Sequence, residues 1–134
     1  MQTYTLSRTG HRPLTFTGEK LAEADNYNPT RNLDRYFELA VYRTRSGRYV
    51  VSIALRAECR GEGDIMTVVY SEDPAEIERA LRDYDPCPPG IGFPPGESFV
   101  AKQDRLREDM RRKYDGLVTE LFAKLGESFA EVLP

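Results

Sequence analysis

Residues 37 to 55 read FELAVYRTRSGRYVVSIAL, and this stretch decides the fold. Phe37, Leu39 and Val41 alternate with Tyr36, Glu38 and Tyr42, the two-residue period of a half-buried strand. Arg45-Ser46-Gly47-Arg48 supplies a turn, after which Tyr49, Val51, Ile53 and Leu55 alternate with Val50, Ser52, Ala54 and Arg56. Two such runs joined by a short polar turn predict one long antiparallel hairpin over 33–56. Phe37, Leu39, Val41, Val51, Ile53 and Leu55 are its expected core residues.

Upstream, Tyr4 and Leu6 alternate with polar neighbours over 3–7, Arg8 to Arg12 can turn the chain, and Leu14 and Phe16 alternate with threonines. This predicts an N-terminal hairpin, with Gly18 marking a bulge before Leu21 to Ala24. A polar loop over 25–32, broken at Asn28-Pro29, leads into the central hairpin. Downstream, Gly61-Glu62-Gly63 turns the chain again and IMTVVY (residues 65–70) is rich in β-branched residues, a fifth strand. Short connections between consecutive strands make an antiparallel meander the economical topology.

At Ser71 the period changes. Asp73-Pro74-Ala75-Glu76 places an N-cap acid, a proline in the first helical position and a capping-box glutamate. Ile77, Ala80, Leu81 and Tyr84 then share one helical face. DPCPPGIGFPPGE (residues 85–97) holds too many prolines and glycines for regular structure. It reads as a stiff connector with Ile91 and Phe93 pinned to the core, or alternatively as a polyproline binding element. From Ser98, the residues Leu106, Met110, Tyr114, Leu117, Leu121 and Leu125 make one apolar stripe, widened by Val118 and Phe122. Gly126 suits a helix stop, with Phe129 and Val132 anchoring a final turn. The expected fold class is α+β: an antiparallel meander of about five strands packed by a short helix and a long C-terminal helix. It forms a single domain over 1–134, divided into sheet (1–70), short helix (71–84), Pro/Gly-rich loop (85–97) and long helix with tail (98–134).

Composition agrees. A chain of 134 residues with 40% apolar and 31% charged residues has the size and make-up of one globular domain. No apolar run is long enough to span a bilayer, and the N-terminus shows no secretory pattern, so a cytoplasmic location without membrane contact is expected. Cys59 and Cys87 lack CxxC spacing and read as free thiols. The formal charge of −3 is uneven: residues 71–97 carry seven Asp/Glu against two Lys/Arg. Glu72, Asp73, Glu76, Glu78, Asp83 and Asp85 form a candidate acidic partner surface, weighed against a plainly solvated helix face.

Catalytic chemistry finds little to use. His11 is the single histidine and sits in a turn, which argues against most zinc sites and against a Ser-His-Asp triad. Glu38 is the one carboxylate whose setting would matter, if its strand face is covered. Gly90-Ile91-Gly92 follows a helix and adjoins prolines, unlike a phosphate cradle. No cofactor and no metal are expected. Arg43, Arg45 and Arg48 at the tip of the central hairpin, with Tyr42 and Tyr49 beside them, are candidate nucleic-acid contacts. The net acidity of the chain stands against that reading. The charges around Arg105 to Asp115 pair at helical spacing and read as self-compensating. A helix from Ser98 to Leu125 would run about 42 Å, more than the roughly 36 Å diameter of such a domain. Leu106 and Met110, where the stripe narrows, are therefore a candidate homodimer seam.

Residues 12–19 (RPLTFTGE), Leu21-Ala22-Glu23 and residues 37–51 (FELAVYRTRSGRYVV) together resemble a strand–loop–hairpin module of small bacterial proteins of the EXLDI type. The likeness covers under a third of the chain. The C-terminal signature of that family is absent, a long helix standing in its place. The resemblance implies a bacterial protein with a β-rich core and transfers no site residue. The expected function is a non-catalytic protein-interaction module, such as an inhibitor or accessory subunit carried by a bacterial or phage mobile element, with an unidentified protein partner. A nucleic-acid-associated protein using the arginine hairpin is the second reading, and an enzyme assembled from scattered carboxylates and tyrosines is the third.

Overall fold

The turn at the centre of the chain is built by Gly47, whose φ of 90° is a backbone conformation that side chains disfavour. Thr44 braces it: its N–H donates to the Arg48 carbonyl at 2.7 Å, and its hydroxyl accepts from the Arg48 N–H at 3.0 Å. From this tip β3 (Arg35–Thr44) and β4 (Tyr49–Ala57) run antiparallel, paired from Arg43↔Tyr49 to Arg35↔Ala57. The computed structural model describes residues 1–27, 35–57, 64–86 and 99–130. Around the central hairpin lie β1 (Gln2–Arg8), β2 (His11–Asp25) and β5 (Ile65–Ser71), followed by α1 (Pro74–Asp83) and α2 (Phe99–Ala130). The strand order is β1-β2-β3-β4-β5 with every neighbour antiparallel, the expected meander.

Phe37, Leu39, Val41, Val51, Ile53 and Leu55 are all buried, as their alternation requires, and join Ile77, Leu81 and the α2 stripe in one helix–sheet core. What alternation did not predict is the burial of the opposite face. Ala40, Tyr42 and Val50 form a second core with Tyr4, Leu6, Leu14, Phe16 and Val68, residues drawn from all five strands. The cause is in β2. Its register shifts between Lys20 and Ala22, which turns Ala22 and Ala24 towards the helices while Phe16 keeps the inner face. A bulge increases local twist and bends its strand. The sheet therefore curls, and the β1–β2 hairpin folds back across the inner face. Thr9 pins its tip to β5: the Thr9 N–H donates to the Met66 carbonyl at 2.9 Å and the Met66 N–H to Thr9 Oγ1 at 2.7 Å.

Gly18 lies before that bulge and has another purpose. It pairs with both Gln2 and Thr44, and a Cβ there would stand 2.2 Å from the Arg43 carbonyl oxygen. The close approach of β3 requires a glycine there.

The α1 start follows the expected signature with one change. Asp73 Oδ1 accepts from the Ala75 N–H at 2.9 Å, whereas the Glu76 carboxylate accepts from the Ser71 hydroxyl. Ser71 Oγ in turn accepts from the Asp73 N–H, so the capping box is closed through a serine. In α2 the stripe packs inward and the helix breaks at Gly126, the expected stop, while Gly116 stays helical. Tyr114 ties the two helices together by donating to the Leu81 carbonyl, its ring edge-on to Phe37.

At the candidate seam, Met110 is 4% exposed within the chain's own core, and Leu106 is half-buried against the same core. Asn28-Pro29, the turn at 61–63, Cys59, Cys87, the loop beyond Pro86, and the anchoring side chains Phe129 and Val132 lie outside the described residues. No helix among the described residues is long and apolar enough to cross a membrane.

Candidate functional site

The β1–β2 hairpin divides the inner face of the sheet into two recesses that share no lining residue. The first, about 310 Å³, is bordered by Thr5, Leu6 and Ser7 of β1 and floored by β3, β4 and β5. Four of its charged groups are paired. Lys20 Nζ bonds Glu23 Oε2 at 2.8 Å, which raises the Lys20 pKa and lowers that of Glu23. Glu38 lies on this face, half-buried, and meets Arg56 at 3.4 Å. Arg56 also bonds Asp64 at 3.0 Å. Asp64 is held below the ordinary carboxylate range chiefly by the Ala57 N–H, with Arg56 adding to it. Burial pushes the Tyr42 phenol up, against the nearby Lys20 charge and a hydrogen bond with Ser52. Among the described residues no group of three or more His, Cys, Asp or Glu is placed to hold a metal ion.

The second recess is a cleft of about 500 Å³ between the first half of β2, the β3–β4 tip and the end of β5. Its floor and walls are Leu14, Phe16, Val50 and Tyr70, and its rim carries Thr44, Arg45, Ser46 and Arg48. Tyr70 is 51% exposed, one of three large apolar side chains that face solvent among the described residues. Leu14 and Phe16 come from the hairpin itself and are half-buried, Val50 is buried beneath them, and Tyr70 stands open at the edge. The rim is rigid. Beyond the Thr44–Arg48 bonds, the Arg45 N–H donates to the Thr17 carbonyl at 2.8 Å, and the Thr44 and Ser46 hydroxyls lie 3.0 Å apart.

The candidate residues read from sequence separate when placed on this frame. Arg45 and Arg48 both rim the cleft. Arg43 faces the helix side instead, its guanidinium 5.8 Å from the Tyr49 ring centroid. Tyr49 is 1% exposed in the helix–sheet core, and Tyr42 is 5% exposed in the inner core against Tyr4 and Phe16. Those two rings lie on opposite faces and neither offers a surface for stacking. Tyr70 does, and it went unnoticed because a tyrosine ending an apolar strand gives no hint of being left uncovered.

The six acidic residues are all exposed, but most are engaged locally. Asp73 caps α1, Glu76 holds Ser71, Glu78 pairs with Arg82 at 3.2 Å, and Glu72 reaches Arg48 at 3.4 Å. Asp83 lies at the end of α1, and Asp85 follows it beside Pro86, Arg107, Glu108 and Arg111. They make a string of local contacts more than one continuous acidic plate. Comparison with protein-family models, curated proteins and solved structures finds no match to this chain, so the reading of the cleft rests on its own residues.

Proposed function

We propose that the chain is a non-catalytic protein-interaction module that docks a segment of a partner protein in the Arg45/Arg48 cleft. The observation that carries this reading is the pairing of a partly open apolar lining with a polar rim on a hydrogen-bonded turn. Leu14, Phe16, Val50 and Tyr70 offer a recess for one large side chain, and a braced turn holds charged groups at its edge. Apolar anchors in pockets carry most of the energy of small interfaces, and polar rims orient them. A preorganised rim loses little conformational entropy on binding. Lys20, Glu23, Glu38 and Arg56 of the other recess are engaged in ion pairs with one another, which favours a structural role there.

Peptide display tests the proposal, with selection on the folded chain and counter-selection on a Tyr70→Ala, Arg45→Glu variant. Both positions are exposed, so the variant should keep its circular dichroism spectrum and melting temperature. Peptides that lose at least about tenfold in affinity on the variant support the docking role. A selection that never separates the two proteins overturns it. So does a single-stranded oligonucleotide that binds at low salt, loses affinity steeply with added salt and is lost on the variant. That outcome would assign Tyr70 and the two arginines to base stacking and phosphate contact.

A further inference from the structure

Granting the docking role proposed above, we infer that the segment the cleft accepts is acidic, and that the chain's own Glu72 is the competitor such a segment displaces from Arg48. The local charge points this way. The protein is net acidic, yet the cleft is lined by two arginines and by no carboxylate at all. Arg45 makes no ion pair among the described residues. Arg48 makes one, from its Nε to Glu72 Oε1 at 3.4 Å, with the two side chains 54% and 79% exposed.

Glu72 stands between the end of β5 and the α1 N-cap, two residues from Tyr70 on the cleft. Its carboxylate reaches the rim from outside without lining the recess. It therefore touches the cation that a ligand carboxylate would seek while leaving the apolar floor open. A single-point, solvent-exposed ion pair of this kind is weak. A ligand carrying a carboxylate beside a large apolar side chain would satisfy both parts of the cleft and replace Glu72 at small cost. The Thr44 and Ser46 hydroxyls share one bond, which leaves one hydroxyl proton to donate to the same carboxylate.

Three capped hexapeptides serve as probes, each holding one phenylalanine among glutamates, glutamines or lysines. Fluorescence anisotropy is measured on the wild type, Glu72→Gln, Arg48→Gln and the double variant. The glutamate peptide is expected to bind tightest, with an advantage that shrinks as salt is added. Glu72→Gln should strengthen its binding about two- to fivefold, the value of a weak surface pair converted to affinity. In the Arg48→Gln background the same Glu72→Gln change should have no effect, which separates release of Arg48 from a general change in net charge. Equal binding of the glutamine or lysine peptide overturns the inference, as does an equal Glu72→Gln gain with and without Arg48. If display-selected peptides bind the cleft and none of the three probes does, the acidic preference falls and the docking role stands. If neither class binds, both fall.

Discussion

Alanine in place of glycine should have opposite effects at residues 18 and 116, and the structure supplies the magnitudes. At Gly18 a Cβ would lie 2.2 Å from the Arg43 carbonyl oxygen, 2.9 Å from Thr44 Cα and 3.0 Å from the Arg43 carbonyl carbon. All three are backbone atoms of β3, so no side chain can swing aside. β3 would have to retreat by roughly 1 Å beside Tyr49, which is packed in the helix–sheet core. Overpacking of this kind costs about 1–3 kcal/mol, and the lower backbone entropy of unfolded alanine returns only part of it. A net loss of about 2 kcal/mol is expected. At Gly116 a Cβ meets nothing within 4 Å, the residue is exposed, and α2 continues through it. Alanine there should add about 1 kcal/mol from helix propensity alone. With a urea m-value of about 1.5 kcal/mol/M, the midpoint should fall by about 1.3 M for Gly18→Ala and rise by about 0.7 M for Gly116→Ala. Circular dichroism follows both transitions. A Gly18→Ala protein as stable as the wild type would refute the close approach of β3, and with it the geometry that folds the hairpin over the sheet. A destabilised Gly116→Ala would show that α2 is broken at that point.

Two other perturbations probe the helix layer. Tyr114→Phe keeps the ring against Phe37 and Tyr84 but removes the donor to the Leu81 carbonyl, leaving a buried acceptor unpaired. Stability should fall by about 1–3 kcal/mol with an unchanged m-value, and no loss in urea titration would mean that water reaches Leu81 instead. Alkaline pH should act on the same region, because burial pushes the Tyr84 phenol up to about 12 and raises Tyr114 further. These phenols stay protonated in the native state while the unfolded chain releases its protons near pH 10, so stability holds below about pH 10 and declines above it towards the native values. Urea midpoints across that range should fall, and less steeply in Tyr114→Phe; a flat profile would place the rings in water.

Most of the fold was legible because period and capping are local properties. The alternation of Phe37 to Leu55 gave the hairpin and its helix-side core, and Asp73-Pro74 gave the start of α1. The α2 stripe was legible as one apolar face, and it packs into the helix–sheet core. Its spacing fixes which face is apolar and says nothing about how far a curled sheet reaches to meet it. Gly18 was noticed as irregular, yet the bulge falls between Lys20 and Ala22 and the glycine answers a crowding across strands. One available signal was missed. Tyr49 to Leu55 reads YVVSIAL, nearly continuous in apolar residues, which is the mark of a strand covered on both faces.

That second burial is also why the cleft could not be read from composition. The arginines of the tip were visible, but their role depends on which faces the curl leaves open. The β1–β2 hairpin hides Tyr42 beneath Tyr4 and Phe16, and stops short of Tyr70. It thereby removes one aromatic from solvent and leaves another beside Arg45 and Arg48. Two features far apart in sequence set this outcome: the register shift in β2 and the Thr9–Met66 bonds that fasten the hairpin tip to β5. A change at either should alter the cleft without touching a residue that lines it. The candidate site thus depends on how the hairpin lies over the sheet, of which local patterning marks only the irregularity in β2.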